Sequence, residues 1–468
     1  MTVNECFEGV VGSLGNNPTQ DQEQLIQLLA NYLSDDNRKD VFIIRGYAGT
    51  GKTTVVSAVV KMLPFFKFKY VLMAPTGRAA KVMSGYSKRT AFTIHKKVFQ
   101  QTAEPGGGLE FKRQSNYHKN TLFIVDEASM ISNASDYGKK GLLSDLIDYV
   151  FSQEGNRLLL IGDTAQLPPV GTLESPALER DYLQGNFRAD VQAIELTEVM
   201  RQDIDSGILF NATKLRNELA QNDFKISLAT SRFTDVFKMT GEKLEDGLRY
   251  AYDKFGVENT AIICRSNKNA VQYNQYIRRA IQYREDEIEA GDILMIVRNN
   301  YHFLPENTPA GFLANGDFVE VMKISRFEEL YDLRFANLTL RLLDYPDQEP
   351  FEAKVVLDTL YSAEASLNDK AYKNLYDQVV ADYADLSTKA ERIKAIKNDP
   401  YLNALQIKFA YALTCHKSQG GQWQAVFVDQ GYLTEEMVNH EYLRWLYTAI
   451  TRATKELYLV NFNKDFFS

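Results

Sequence analysis

The stretch IIRGYAGTGKTTVV (43–56) decides the first half of the chain. Its apolar start reads as a buried strand, its glycines as a turn, and KTTVV as the opening of a helix. Residues 46–53 fit G-x-x-x-x-G-K-[ST], and the strand–loop–helix setting is the one in which that pattern carries meaning. Glycines let successive backbone N–H groups curl inward onto phosphate oxygens, and the following helix adds its positive end. The cradle comprises Gly46, Ala48, Gly49, Thr50, Gly51, Lys52 and Thr53. Lys52 is expected to reach the terminal phosphates of a bound nucleotide, and the Thr53 hydroxyl to hold Mg²⁺. Thr54 sits beside them as a helix residue without a role of its own.

A second apolar strand, TLFIVDE (121–127), ends on two carboxylates. Asp126 suits the Mg²⁺ ion, and Glu127 suits the base that orients an attacking water. An acidic pair at a strand end is often only a solvated turn. Behind a phosphate loop it becomes the expected partner.

Around these motifs, short apolar runs alternate with longer amphipathic ones. VFIIR (41–45), YVLMAP (70–75), TLFIVDE, RLLLIGD (157–163) and AIELTEV (193–199) read as buried strands with polar residues at their C-terminal ends. Such strands, separated by helices, predict a parallel sheet covered on both faces, with ligands beyond the strand ends. A second set follows in TAIICR (260–265), QIKFAYALT (406–414), AVFVD (425–429) and ELYLV (456–460). The long gap after the first of these reads as an insertion. DILMIVRNN, GDFVEVMKI and LTLRLL predict a small β-barrel over 291–356, and 363–405 is charged and helix-prone, with Asn-Asp-Pro at 398–400 as its stop.

The chain has 468 residues, enough for about three domains, and with 45% hydrophobic and 24% charged residues it reads as an ordinary globular protein. Its formal charge of −8 argues against a surface coated for nucleic acid, though one basic groove remains compatible with it. Among 26 Tyr and 27 Phe, a minority can stack on bases. Cys6, Cys264 and Cys415 are scattered, which excludes a disulfide framework or a zinc site and points to a reducing cytoplasm. The first residues lack the pattern of a signal peptide, and no apolar run approaches the ~18 residues of a membrane span. A cytoplasmic protein with no membrane partner is expected.

Further motifs stand in a fixed order: PTQDQ (18–22), APTGRAAKVMSG (74–85), TIHK (93–96), GDTAQLPPVG (162–171), LTEVMRQ (196–202), LTCHKSQGGQW (413–423) and YTAITRA (447–453). As a series spanning almost the whole chain, they resemble superfamily 1B helicases of the RecD/Dda-like branch. The resemblance implies an α/β fold of two RecA-like parallel-sheet domains, with a small hairpin insertion in the first and an SH3-like β-barrel plus helical insertion in the second. It places the first motor domain at 1–200 with a pin at 97–120, the second at 201–290 and 406–468, and the insertion at 291–405. It also implies an ATP-dependent DNA helicase moving 5′→3′ on single-stranded DNA.

By the same resemblance, Gln22 reads adenine, and a glutamine amide can pair with both the donor and the acceptor on that edge. Asp163 and Gln166 belong to the motif whose glutamine senses the γ-phosphate. Arg201 and Arg452 reach the phosphates from the second domain, Arg452 as the arginine finger, a role that contributes on the order of 10³–10⁵ in rate elsewhere. Gly421 and Gln422 fall near the ribose, where many relatives carry a carboxylate in place of Gln422. Cys415, inside the same motif, reads as a small apolar filler.

The DNA track carries over as Pro75, Thr76, Arg78, Thr93 and His95 on the first domain and Thr414, His416, Lys417 and Ser418 on the second. Small hydroxyls and single cations hold phosphates without reading sequence. The segment 97–120 resembles the pin that splits the duplex, with Phe99 or Phe111 as the tip aromatic, the alternative being a surface hairpin with its aromatics packed inward. The turn NGD (315–317) is similar to one in the family's barrel. Expected partners are single-stranded DNA and duplex junctions, with single-strand-binding or replication and repair proteins as further candidates, and a monomer is expected. Two other readings stay open: an RNA-directed helicase of the same superfamily, and a nucleotide-switched DNA-binding ATPase that never unwinds.

Overall fold

The computed structural model describes residues 3–14, 17–34, 40–65, 69–103, 109–134, 140–200, 205–221, 224–305, 308, 310 and 312–467. Its strands begin with β1 (Asp40–Gly46), β2 (Lys69–Ala74), β3 (Ala91–Thr93), β4 (Phe99–Ala103), β5 (Leu109–Arg113), β6 (Thr121–Val125), β7 (Arg157–Gly162) and β8 (Asp190–Leu196). Six of these form a parallel sheet in the order β3-β2-β6-β7-β1-β8. Period-two alternation explains why the central strands are apolar throughout. Phe42 and Ile44 of β1 enter one core with helices Gln20–Ser34 and Lys52–Met62, while Val41 and Ile43 enter another with helix Leu142–Val150. Both faces are covered, so neither can be polar.

The run AIELTEV is not a buried strand. It falls largely within β8, the sheet's edge, where exposed and buried positions are mixed and only one neighbour is paired. β3 is three residues long, too short to leave a pattern in the sequence.

The second sheet starts with β9 (Val236–Met239) and β10 (Thr260–Cys264). The chain then leaves for a closed barrel of β11 (Ile293–Ile296), β12 (Phe318–Leu330), β13 (Leu333–Leu342), β14 (Phe351–Val356) and β15 (Leu405–Phe409). It returns with β16 (Ala412–Thr414), β17 (Trp423–Asp429) and β18 (Ala453–Val460), giving a parallel sheet ordered β16-β10-β17-β18-β9. Between β14 and β15 lie helices Asp369–Asp382 and Lys389–Lys397. The second of these opens on a Thr388/Glu391 capping box and stops at Asn398, ahead of Pro400.

The expected single strand QIKFAYALT is therefore two. Its first half closes the barrel and its second half edges the motor sheet. Asn274, on helix Asn267–Tyr276, makes the break possible. Its side-chain oxygen accepts the N–H groups of Tyr411 (3.0 Å) and Ala412 (2.8 Å), and its amide donates to the carbonyls of Phe409 and Ala412. A buried side chain thus satisfies the backbone groups that neither sheet can pair.

Candidate functional site

Gly49 and Gly51 both have φ near +77°, the left-handed conformation that turns the loop after β1 into helix Lys52–Met62. A Cβ on Gly51 would come within 2.2 Å of Gln22 Nε2, so the position needs glycine on two counts. The Lys52 ammonium lies within the loop, donating to the carbonyls of Gly46 (2.5 Å) and Tyr47 (2.8 Å). The Thr50 hydroxyl closes the turn onto the Tyr47 carbonyl.

Gln22 is placed differently from its expected role at an adenine edge. It is buried, its Nε2 donates to the Thr50 carbonyl (3.1 Å), and its Oε1 accepts the Thr19 N–H (3.1 Å). Here it braces the loop from behind and caps helix Gln20–Ser34.

A cavity of about 820 Å³ opens between the two sheets. The first sheet contributes Ala48, Gly49, Gly51, Lys52, Thr53, Thr54, Asp126, Glu127, Asp163 and Gln166, and the second contributes Gln422 and Arg452. Gly421 backs this wall through its carbonyl, which accepts from Arg452 Nη1 (3.3 Å). Arg452 is buried, and its Nε also donates to the Thr448 carbonyl (3.0 Å). Arg201 lies outside the described residues.

The carboxylates are prepared by their surroundings. Asp126 accepts from the Tyr86 hydroxyl (2.8 Å) and from the Glu127 N–H (2.8 Å). Burial pushes both carboxyls up; the Tyr86 bond opposes this at Asp126, and the Arg452 charge opposes it at Glu127. Glu127 has φ of 54°, a strained conformation for a non-glycine residue and common at functional sites. Gln166 is buried with its Oε1 lacking a partner among the described residues, so its amide keeps capacity for a ligand. No described cluster of His, Cys, Asp and Glu could hold a metal alone. Mg²⁺ is usually bound by one or two protein oxygens plus phosphates, and Thr53 and Asp126, which line the same cavity, offer such oxygens.

A second cavity, of about 740 Å³, runs between the first sheet and the barrel. Pro75, Thr76 and His95 form one wall, and Arg298, Tyr301 and Tyr372 stand on the other. Lys417 donates to Asn315 at its edge (2.5 Å), His416 is exposed nearby in sequence, and Thr414 heads the short helix Cys415–Ser418 without a cap bond.

Four expected DNA contacts are placed otherwise. Thr93 is buried and caps the Lys96 N–H (3.2 Å), and Ser418 is buried with its hydroxyl donating to the Cys415 carbonyl (2.8 Å). Arg78 lies against both the Phe318 and the Trp423 rings. Phe99 lies at the base of the β4–β5 hairpin, opposite Arg113 and 5.6 Å from the His95 ring, away from the turn. Phe111 pairs with Gln101 midway along the hairpin; its side chain and the turn 104–108 lie outside the described residues. Cys415 is buried, and burial pushes its thiol up to about 12, as befits a filler.

Sequence reasoning missed Tyr86, Tyr447, Arg298, Tyr301 and Tyr372. Tyr447 stands in the quoted YTAITRA, but its hydroxyl partners are remote in the chain. Tyr372 lies in a charged helix with no motif to mark it.

A phosphate cradle, a carboxylate pair and an arginine from a facing sheet, gathered on one cleft, define a two-lobed P-loop nucleoside triphosphatase. The AAA domain profile matches residues 19–236, and the UvrD-like helicase C-terminal domain profile matches 409–460. The chain belongs to the RecD/Dda-like branch of the superfamily 1B helicases. The uncharacterized protein R530 of Acanthamoeba polyphaga mimivirus is 25% identical over 92% of this chain and 98% of its own. The ATP-dependent DNA helicase dda of Enterobacteria phage T4 is 24% identical over 94% of this chain and 99% of its own. A solved structure of Pif1 helicase from Bacteroides with ADP-AlF3 and ssDNA aligns over 96% of this chain and 94% of its own, at 16% identity and a TM-score of 0.48. No described helix is long and apolar enough to cross a membrane.

Proposed function

We propose that this chain is an ATP-dependent DNA helicase that moves 5′→3′ on single-stranded DNA and separates the duplex ahead of it. The observation that carries the reading is the position of Arg452, which comes from the second lobe and lines the same cleft as Lys52 and Glu127 of the first. A triphosphate held there touches both lobes, so its binding favours closure and its cleavage removes the link. The phage T4 relative, aligned nearly end to end, is by name an ATP-dependent DNA helicase.

In this reading Lys52 and Arg452 neutralise phosphate charge, Glu127 orients the attacking water, and Gln166 contacts the γ-phosphate. Thr53 and Asp126 would hold Mg²⁺, which would supply positive charge to offset that of the phosphates. Single-stranded DNA runs through the groove between the first sheet and the barrel, where Thr76 and Arg298 meet phosphates and Tyr301 and Tyr372 meet bases. The hairpin of β4 and β5 faces the duplex junction. The domains are 1–200, with 97–120 as the pin; 201–290 joined to the C-terminal portion; and the insertion from 291, whose last boundary moves from 405 to the end of β15 at Phe409. The protein acts as a monomer in the cytoplasm.

The test is strand displacement on duplexes carrying a 5′ or a 3′ single-stranded tail, with hydrolysis measured beside matched DNA and RNA oligonucleotides. Unwinding from the 5′ tail with DNA-stimulated hydrolysis is expected. A clear preference for RNA, or DNA binding without stimulated turnover, overturns the reading.

A further inference from the structure

Helix His440–Ile450 belongs to the second lobe but is bonded along its length to the first. The Tyr447 hydroxyl accepts the Ala48 N–H of the phosphate loop (2.9 Å) and donates to Asp163 Oδ2 (2.7 Å). One residue further, Thr448 Oγ1 accepts the Leu167 N–H (2.8 Å). One turn earlier, Arg444 donates to the Leu173 carbonyl and the Glu174 carboxylate. Past the end of the same helix, Arg452 is anchored to the Thr448 carbonyl (3.0 Å). The arginine that lines the cleft is therefore tied to the helix that grips the first lobe.

Tyr447 carries the most specific of these grips. It is buried, and burial together with the Asp163 charge raises its phenol well above the usual range, so the O–H stays a donor. The second oxygen of Asp163 accepts the Ala165 N–H (2.9 Å), and the Gln166 N–H bonds the Asp163 carbonyl (3.3 Å). One hydroxyl thus joins the phosphate loop, the turn that carries Gln166, and the helix leading to Arg452. Phenylalanine would keep the ring but leave the Ala48 N–H and Asp163 Oδ2 without this partner.

We infer that Tyr447 is a positioning residue, whose hydroxyl holds the phosphate loop and the Asp163 turn in register with the helix that presents Arg452. Placement of the reacting groups, rather than affinity for the nucleotide, is what it supplies. The inference rests on the cleft being the ATP site of a DNA-stimulated motor.

The experiment compares wild type, Tyr447→Phe, Arg452→Ala and the double variant in full-length protein, reading ATP hydrolysis with single-stranded DNA, KM for ATP, DNA affinity and Tm. Tyr447→Phe is expected to lose about tenfold in kcat while KM and DNA affinity stay within about twofold. The double variant should be no slower than Arg452→Ala alone, because the tyrosine acts through the arginine. Unchanged kcat in Tyr447→Phe, or losses that add in the double variant, overturns the inference. Thr448→Val, which removes the neighbouring bond to Leu167, serves if Tyr447→Phe folds poorly: a smaller kcat loss, again absent on Arg452→Ala, is expected, and an additive loss overturns the inference. Wild-type hydrolysis indifferent to DNA overturns the helicase reading itself, and this inference with it.

Discussion

The guanidinium of Arg78 lies 4.3 Å from the centre of the Trp423 ring and 4.6 Å from that of Phe318. Arg78 stands in the first turn of helix Gly77–Ser87, Trp423 opens β17 and Phe318 opens β12, so one side chain joins the first lobe, the second lobe and the barrel. Gly421 permits this: a Cβ there would meet the Trp423 ring at 2.5 Å and Arg78 Cδ at 3.2 Å. Cation–π contacts of this kind contribute ~0.5–2 kcal/mol each.

Arg78→Ala should therefore destabilise the protein by about 1–2 kcal/mol, read as a lowered Tm. Arg78 packs on the two rings and does not line the groove that Thr76 and Arg298 line, so the slope of log affinity for single-stranded DNA against log salt should not change. A phosphate contact would instead reduce that slope by about one. Measuring the slope in both proteins separates the two roles.

Lys52 donates to two carbonyls of its own loop and lines the cleft between the lobes, while Pro75, Thr76 and His95 line a separate groove. Lys52→Ala should lose hydrolysis by at least ~10³-fold, since phosphoryl transfer depends on charge placed at the phosphates. Affinity for a single-stranded oligonucleotide should survive. Turnover near wild type would remove Lys52 from the site, and loss of DNA binding would show that the two cavities are not independent.

The nucleotide cleft was legible in the sequence because its geometry is local. A glycine loop must follow a strand and precede a helix, and the carboxylates must end a neighbouring strand, so 46–53 and Asp126–Glu127 declare themselves. The DNA side was less legible because residue type does not say which partner a side chain finds. Arg78 found two rings, and Thr93 and Ser418 found backbone groups within their own turns. The run QIKFAYALT looks continuous because both halves are buried, and the remote Asn274 decides where it breaks. β8 (DVQAIEL) interleaves Asp190, Gln192 and Glu195 with its apolar residues, as suits its place at the sheet edge.

Asp317, in the turn before β12, is buried, and burial raises its carboxyl from 3.8 to about 8, with Asp344 adding to the rise. Its Oδ2 accepts the Ala314 N–H (2.7 Å), while Oδ1 has no partner among the described residues and crowds Gly77 of the first lobe, where a Cβ would approach within 2.2 Å. Tyr345 stands close by, and Lys81 pairs with Asp344 (3.2 Å). Between those two pH values the folded protein holds a proton that the unfolded chain releases. Stability from this group is thus full below the lower value and is lost as pH rises through the upper one. Asp317→Asn keeps an acceptor for Ala314 and cannot ionise. Its Tm should fall less than that of wild type between about pH 5 and about pH 8.5. Parallel Tm curves for the two proteins would mean that Asp317 is ionised throughout.

Tyr372, on helix Asp369–Asp382, gives that insertion a part in the groove, and the Arg298 guanidinium lies 4.7 Å over its ring. No carboxylate among the described residues pairs with Arg298, so its charge remains for a phosphate while the aromatic surface beside it suits a base. Stacking of a base on an aromatic side chain contributes ~1–3 kcal/mol, and an abasic oligonucleotide has phosphates but no base to stack. Wild type should bind an all-base oligonucleotide more tightly than one with abasic sites, and Tyr372→Ala should weaken the first while leaving the second nearly unchanged. Tyr372→Phe should behave as wild type, because the ring and not the hydroxyl makes the contact. Equal weakening of both ligands by Tyr372→Ala would mean that the helix supports the groove without touching a base, since losing a wall affects phosphate and base contacts alike.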